Sequence, residues 1–430
     1  MIEAPVVTSY LSEHYADEAY TTLAGYRSKG GYQGLEKALA MEPAAVRETV
    51  KGSGLRGRGG AGFVAGVKWG FMPEQTDSMK LIVCNGDESE PGSFKDRLIM
   101  ERAPHQVLEG ILIGAWAMGA ERSYIYVRGE YALPAERLER AIQELRDQGR
   151  LGRDCFGKSG FSHDIIVHRG AGAYICGEET GLLESLEGKK GQPRKKPPFP
   201  AQYGAFGLPT TVNNVETFAH VPFILERGTD WFRGFGTERS PGTTLFGVSG
   251  HVERPGLFEK PLGTQLGELI ELAGGVRGGR GLKGVGPGGL SMPILPASDL
   301  DVGMDEESLS ARGSHLGTGG IMVMDETTCM VRVACVISYF FRDESCGQCT
   351  QCREGTGWLY RLSRRIEEGR GQRGDLEVLG SVPKMMEAQT ICAFSDAAAW
   401  PIQGLLRHFR EDFQRHLPEK SCPFSEGFEF

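Results

Sequence analysis

The sequence predicts a multidomain α/β protein with a parallel sheet first, a small α+β unit next and a helical bundle last. Three observations predict it. Strand-like and helix-like apolar patterns alternate between Leu81 and Leu186, short apolar runs around one helix replace them from Thr243, and strand patterns cease beyond Thr327. At about 150 residues per domain, a 430-residue chain has room for about three domains. The pattern changes divide it into 1–240, 241–327 and 328–430.

Taken in order, Leu35, Leu39, Val46 and Val50 predict two short helices between Leu35 and Lys51, the second opening near Pro43. Leu81 to Cys84 reads as a buried strand, His105 to Met118 as an apolar helix and Tyr124 to Val127 as a strand. Pro134 to Arg146 is an amphipathic helix, Ile165 to His168 a strand and Glu178 to Leu186 a helix. Gly188 to Pro200 (GKKGQPRKKPPFP) is a basic loop whose prolines forbid regular structure, marking a boundary or a cover over a ligand. The second region carries strands at Thr244 to Val248 and Ile321 to Met324, a helix at Gln265 to Ala273 and a glycine-rich tract, Gly274 to Gly289, read as a flexible loop. Helical spacing then covers Cys329 to Phe341, Trp358 to Glu367 and Ala397 to His416, with another possible helix between.

Composition removes several functions. Lys plus Arg at 48 against Asp plus Glu at 56 leaves a net charge of -8, which argues against nucleic acid as a partner. The apolar stretch Gly110 to Ala120 is too short to span a bilayer. The first five residues lack a signal-peptide pattern, so a reducing compartment is expected, with the ten cysteines as thiols or ligands. Glycine, at 62 residues, is about twice as frequent as the usual ~7%, so many glycines serve positional roles.

Generic phosphate motifs are correspondingly weak here. Gly152-x-x-x-x-Gly157-Lys158-Ser159 fits a P-loop in letters, but a helix precedes it and a strand follows, the reverse of the order that aims backbone N–H groups at phosphate. G-x-G-x-x-G at Gly52, at Gly57 and at Gly279 likewise lacks the strand-to-helix context. Gly52 to Trp69 (GSGLRGRGGAGFVAGVKW) is more informative. Glycines interleaved with Arg56, Arg58 and Lys68 make an anion cradle, the alternative being a mobile basic loop. Cys84 to Gly92 (CNGDESEPG) is an acidic loop at the carboxyl end of a strand, suited to ribose hydroxyls or ring N–H groups, or else simply solvated. Gly170 to Glu179 (GAGAYICGEE) repeats the arrangement after the next strand but one. Asn213, Asn214 and Thr217 offer amide and hydroxyl groups to a flat heteroaromatic edge or, equally, a helix N-cap.

The sharpest signal is Cys346-x-x-Cys349-x-x-Cys352 with Cys392 farther on. Three closely spaced thiolates and one distant cysteine suit a 4Fe-4S cluster, whereas zinc sites usually come as two separated pairs. Cys329 and Cys335 read as core residues, Cys155 and Cys422 have no partners visible in the sequence, and Cys84 and Cys176 read as small buried thiols beside the crevice.

GRGGAGF at 57–63, KW at 68–69, CNGDESEPGSFKDR at 84–97, GAGAYICGEET at 170–180, KPPFPA at 196–201, NNVET at 213–217 and SCGQCTQCREGTGW at 345–358 together resemble the flavin-bearing, NADH-oxidising subunit of respiratory complex I over nearly the whole chain. Related diaphorase subunits of hydrogenases and formate dehydrogenases share these motifs. The resemblance implies a Rossmann-like FMN domain after a helical, glycine-rich N-terminal part, a ubiquitin-like (β-grasp) domain, and a four-helix bundle holding one 4Fe-4S cluster. It implies that Arg58, Gly59 and Lys68 hold the FMN phosphate region, and that Asn85, Asp87, Tyr174, Gly177, Glu178, Asn213, Asn214 and Thr217 surround the rest of the flavin. Phe63, Phe71 and Phe199 would sandwich the NADH adenine, Glu90, Glu179 and Lys196 would meet NADH polar groups, and Cys346, Cys349, Cys352 and Cys392 would ligate the cluster. No side chain need act as acid or base; Glu90 and Glu179 would tune the site by charge. The expected partners are a thioredoxin-like 2Fe-2S subunit, a large multi-cluster subunit and the remaining complex I subunits, with the chain peripheral on the cytoplasmic face of the bacterial inner membrane. Val64-Ala65, Gly181 and Phe394-Ser395 depart from the family pattern, and none of them is a proposed ligand or reacting group.

Overall fold

The computed structural model describes residues 6–7, 9–419 and 422–424. Four parallel strands form one sheet in the order Asp164–Arg169, Arg122–Val127, Leu81–Gly86, Thr210–Asn214. The chain starts on Leu81–Gly86, steps outward twice, and returns to pair Thr210–Asn214 on the opposite side. Strand order therefore reverses beside Leu81–Gly86, and the crevice outside the strand ends at such a point is where α/β sheets bind ligands.

Side chains of the central strand alternate between two cores, as a strand period of two dictates. Ile82 and Cys84 pack with the helices Pro104–Met118, Ala132–Asp147 and Val215–Arg227. Leu81 and Val83 face the helix Glu179–Leu186 and join the same apolar cluster as the C-terminal helices. The sheet is thus covered on both faces, as parallel sheets require.

Every strand and helix expected between Leu81 and Leu186 is present, its ends within two residues of those expected. Elements with no matching expectation include the helices Ala65–Trp69 and Lys95–Arg102 and, in the parallel sheet, the strand Thr210–Asn214. That strand (TTVNN) has a single apolar side chain, Val212, so burial of its threonines comes from the tertiary fold rather than from its own hydrophobicity. Lys95 is itself buried, paired with Glu216 at 2.7 Å and Asp96 at 3.0 Å. Burial favours a neutral Glu216, yet Lys95 outweighs it and holds the carboxyl below its ordinary range. Glu216 also accepts from Thr244 Oγ1 and the Leu245 N–H, tying the first unit to the second.

The second sheet has six strands in the order Val6–Val7, Gly256–Pro261, Thr243–Gly250, Gly320–Asp325, Leu282–Gly286, Leu295–Pro296. The helix Leu266–Leu272 packs on it through Leu266, Leu269 and Ile270. The tract from Gly274 to Gly289, expected to be a flexible loop, contains the strand Leu282–Gly286, which pairs with Gly320–Asp325. Backbone pairing there makes up for the missing side chains.

Among the described residues five helices follow: Met330–Glu344, Thr350–Glu367, Asp375–Met386, Phe394–His408 and Arg410–Glu419. The stretch expected as one helix from Ala397 to His416 is broken at Phe409, whose φ of -128° leaves the helical region while its ring stays buried. Thr350–Glu367 begins eight residues earlier than apolar spacing alone predicts, because its buried face starts at Cys352 and continues through Thr356, Leu359 and Leu362. Among the described residues no helix is long and apolar enough to cross a membrane.

Candidate functional site: a nucleotide crevice beside a cysteine cavity

Two asparagines lie side by side at the carboxyl edge of the parallel sheet, because Asn85 pairs in register with Asn214. Asn85 uses its amide N–H to reach the Gly177 carbonyl at 2.9 Å, and its Oδ1 accepts from the Asp87 N–H. The acidic loop and the loop after Asp164–Arg169 are thereby joined into one wall. Asn213 is oriented by Trp69, whose indole N–H donates to its Oδ1 at 3.0 Å. Asn214 caps the helix Val215–Arg227 through Oδ1 and donates to Asp96 at 2.6 Å, so the N-cap reading holds for this residue. Thr217 Oγ1 accepts from the Arg58 backbone N–H.

The Arg58 guanidinium is buried and donates to the carbonyls of Arg56, Pro241 and Thr243. Its side chain therefore braces the glycine loop from behind. The loop's own surface is bare backbone: a side chain at Gly59 would stand 3.0 Å from Asn214, and Gly62 has φ +63° with open space before it. Lys68, at the end of the short helix after the loop, binds Glu179 at 2.8 Å, and Lys196 from the proline-rich loop binds the same carboxylate at 2.7 Å. Burial would raise Glu179, but the two ammonium groups outweigh it and keep the carboxyl below its ordinary range. This Lys68–Glu179–Lys196 bridge gathers three separate segments at one mouth. Glu178 caps Glu179–Leu186 through the N–H groups of Thr180 and Gly181 and lies 3.3 Å from Lys196.

Beside that mouth three large aromatics stay uncovered: Phe63, Phe71 and Phe199 are 50%, 59% and 54% exposed. Phe63 and Phe71 meet at 6.0 Å between ring centroids. Exposed rings next to a polar crevice suit a flat heteroaromatic ligand.

Deeper in, Asp87 tests whether a cofactor fits. One carboxylate oxygen accepts from Ser89, while Oδ2 is buried without a hydrogen-bond partner among the described residues. Burial pushes this carboxyl up to about 7. A buried acceptor left unmade is costly, and the hydroxyls or ring N–H of a flavin nucleotide supply the donor it lacks. Gly177, whose Cβ would stand 3.4 Å from that oxygen, leaves the approach clear. These residues fit FMN.

Glu90 is more fully engaged than its sequence context indicates. It accepts from Tyr174 Oη at 2.6 Å and from the Ser291 N–H and Oγ at 2.7 and 2.6 Å. Burial raises its pKa against the opposing effect of these bonds. Ser291 belongs to the loop after the glycine-rich tract, and no signal around it in the sequence points to the crevice.

The same Tyr174 leads to the cysteines. Its ring packs edge-on against Phe340, Phe341 and Phe394, and its N–H donates to Glu344, two residues before Cys346. Next to it Ile175 lines a cavity together with Phe394 and all four of Cys346, Cys349, Cys352 and Cys392. Burial pushes the Cys352 thiol up to about 11 and the Cys392 thiol up to about 12. Four sulfurs converging on one apolar-walled space are a donor set for an iron–sulfur cluster. The remaining motif letters are inert: Gly152 to Ser159 runs through a single tight turn at Cys155–Gly157, with no helix after it. Gly181 stands where a side chain would come within 2.6 Å of the Ile175 carbonyl.

Comparison with known proteins matches this geometry. Residues 50–223 match the Nuo51 FMN-binding domain, residues 245–295 the SLBB domain, and residues 332–416 the NADH-ubiquinone oxidoreductase-F iron-sulfur binding region. Fold and site together define a flavin- and iron–sulfur-dependent component of an oxidoreductase. The second of the NADH-quinone oxidoreductase F subunits of Rhizobium meliloti (strain 1021) is 53% identical, covering 94% of this chain and 96% of its own length. The NADH-quinone oxidoreductase F subunit of Mycobacterium tuberculosis (strain ATCC 25618 / H37Rv) is 48% identical over 98% of this chain and 96% of its own. The chain belongs to the family of NADH-quinone oxidoreductase F subunits. Among solved structures, that of an NAD+-reducing [NiFe]-hydrogenase in the H2-reduced state superposes with a TM-score of 0.85 at 35% identity, covering 97% of this chain and 68% of the other.

Proposed function

We propose that the chain is the NADH-oxidising subunit of a bacterial complex I, peripheral on the cytoplasmic side of the inner membrane. The observation that carries this reading is that one loop, Tyr174 to Glu178, belongs to both sites: Tyr174 and Gly177 border the crevice, and Ile175 borders the cysteine cavity. FMN in the crevice supplies hydride acceptance from NADH and release of electrons one at a time, and a 4Fe-4S cluster supplies a one-electron carrier.

The chain's own residues do the rest. The glycine backbone around Gly59 and the Lys68 ammonium receive the phosphate region, with Arg58 bracing the loop. Asn85, Asp87, Tyr174, Gly177, Glu178, Asn213, Asn214 and Thr217 would surround the flavin, with Asp87 Oδ2 as an acceptor for its hydroxyl or ring N–H donors. Phe63, Phe71 and Phe199 clasp the adenine of NADH, and Glu90, Glu179 and Lys196 meet its polar groups. Negative charge at Glu90 and Glu179 disfavours further charge on a reduced ring. Cys346, Cys349, Cys352 and Cys392 hold the cluster. The domain division that goes with this reading is 1–240 for the Rossmann-like part, 241–327 for a ubiquitin-like unit and 328–430 for a helical bundle that carries the cysteines. Electrons then require neighbours, and the expected partners are a thioredoxin-like 2Fe-2S subunit and a large multi-cluster subunit.

The likeness to the NAD+-reducing hydrogenase favours a second reading, a diaphorase subunit with the same half-reaction. Partners co-purified from the native host separate the two: membrane-embedded subunits in one case, a nickel-iron enzyme in the other. The common core is tested by an anaerobic visible spectrum before and after NADH. Flavin and iron–sulfur absorbance bleached by NADH, and less readily by NADPH, is the expected result. A colourless protein that takes up neither FMN nor iron and sulfide on reconstitution overturns it.

A further inference from the structure

A second group of metal-type ligands lies in the C-terminal helices, built from residues outside the cysteine motif. Cys329 is the N-cap of Met330–Glu344, Glu367 the last residue of Thr350–Glu367, His416 a member of Arg410–Glu419, and Cys422 follows that helix. One ligand atom from each lies within 4.8 Å of all the others, and the first three residues are buried. Cys329 Sγ is 3.3 Å from Glu367 Oε2 and 3.4 Å from His416 Nε2, and those two atoms are 3.2 Å apart.

These separations match one ion. Zinc bonds of about 2.3 Å to sulfur and about 2.0–2.1 Å to nitrogen or oxygen, arranged tetrahedrally, place neighbouring ligand atoms roughly 3.3–3.8 Å apart. The ligand groups are also aimed. His416 Nδ1 lies 2.7 Å from the Asp412 carbonyl, so the N–H at Nδ1 donates there and Nε2 faces Cys329 and Glu367. Arg332 holds Glu367 Oε1 at 2.8 Å, leaving Oε2 as the single inward oxygen. Two thiolates and a carboxylate facing a divalent cation leave one negative charge, and the Arg332 guanidinium offsets it. Two sulfurs, one imidazole and one carboxylate are a borderline-soft set, which selects zinc over magnesium or calcium.

We propose that Cys329, Glu367, His416 and Cys422 form a tetrahedral Zn2+ site that fastens the C-terminal segment to the helices. On binding, four zinc–ligand bonds replace the thiol S–H bonds and the contacts within the group, and the displaced protons pass to water; no electrons move. The segment is already docked beside the site, with Phe424 stacked on His416 at 6.2 Å and Lys283 Nζ 4.1 Å above the Phe424 ring. The site carries no substrate position and its role is structural.

The test is metal analysis of the full chain purified from cells without chelator, with zinc and iron counted per chain. One zinc per chain is expected in the wild type and in Cys346→Ala, whereas Cys422→Ala and His416→Gln lose it with iron unchanged. Zinc-edge X-ray absorption on the wild type, which is independent of how the variants fold, is expected to report two sulfur and two nitrogen or oxygen neighbours. Wild-type protein that binds no zinc even after incubation with excess Zn2+, or zinc that disappears in Cys346→Ala but persists in Cys422→Ala, overturns the site.

Discussion

The crevice and the cysteine cavity share one loop, yet they are built on different principles. Crevice groups hold one another: Lys68 and Lys196 share Glu179, Asn85 binds Gly177, and Glu90 is shared by Tyr174 and Ser291. Cys346, Cys349, Cys352 and Cys392 instead line one cavity together. A network spreads the loss of one member over its neighbours, whereas a metal ligand has no substitute. Single substitutions should therefore give graded effects in the crevice and all-or-none effects at the cysteines.

The largest expected effect is at a cysteine. Cys349→Ala loses the iron and abolishes NADH-driven reduction of a one-electron acceptor, read by iron content and by the electron paramagnetic resonance signal of the reduced protein. Retention of full iron would break the comparison at its stronger end. Next comes Glu179→Gln, which leaves Lys68 and Lys196 without their shared charge. A loss of about 1.4 kcal/mol corresponds to about tenfold in KM for NADH with kcat within about twofold. Unchanged KM and unchanged flavin potential would remove Glu179 from the site.

Trp69→Phe removes one hydrogen bond to Asn213, a change of about 1 kcal/mol, and FMN retention should weaken about fivefold by fluorescence titration. Asp87 gives a pH-dependent effect. Its pKa of about 7 in the folded chain lies above the roughly 3.9 of an unfolded aspartate, so the folded state keeps a proton that the unfolded state has released. That group's contribution to stability is fully present below about pH 4 and is lost as pH rises to about 7. The melting temperature of flavin-free Asp87→Asn should accordingly gain on that of the wild type across this window and run parallel to it above. A constant difference from about pH 4 to about pH 8 would mean that Asp87 ionises normally. Smallest is Ser291→Ala, which leaves the backbone N–H bond to Glu90 intact and should shift KM for NADH by about twofold.

Legibility in the sequence follows the same division. The Cys346–Cys352 spacing and the loops at the ends of Leu81–Gly86 and Asp164–Arg169 were readable because their partners are near in sequence or placed by strand periodicity. Ser291 was not, since only the approach of the second unit brings it 2.7 Å from Glu90. Cys329 reads as a core residue, and the sequence around Cys422 points to no ligand set, because nothing local signals that Glu367 and His416 meet them. Arg58 shows the opposite case: a basic residue in a glycine loop reads as a phosphate ligand, but its guanidinium turns inward to three carbonyls.

The sequence by itself determined the alternation of strand and helix, the family of the chain and the four cysteines, because apolar periodicity and short ligand spacings are local properties of a chain. Tertiary structure alone decided which side chain of each motif faces the crevice, which braces it, and which distant residues complete a site. Those choices depend on burial, on hydrogen bonds that must be satisfied once water is excluded, and on contacts between segments hundreds of residues apart.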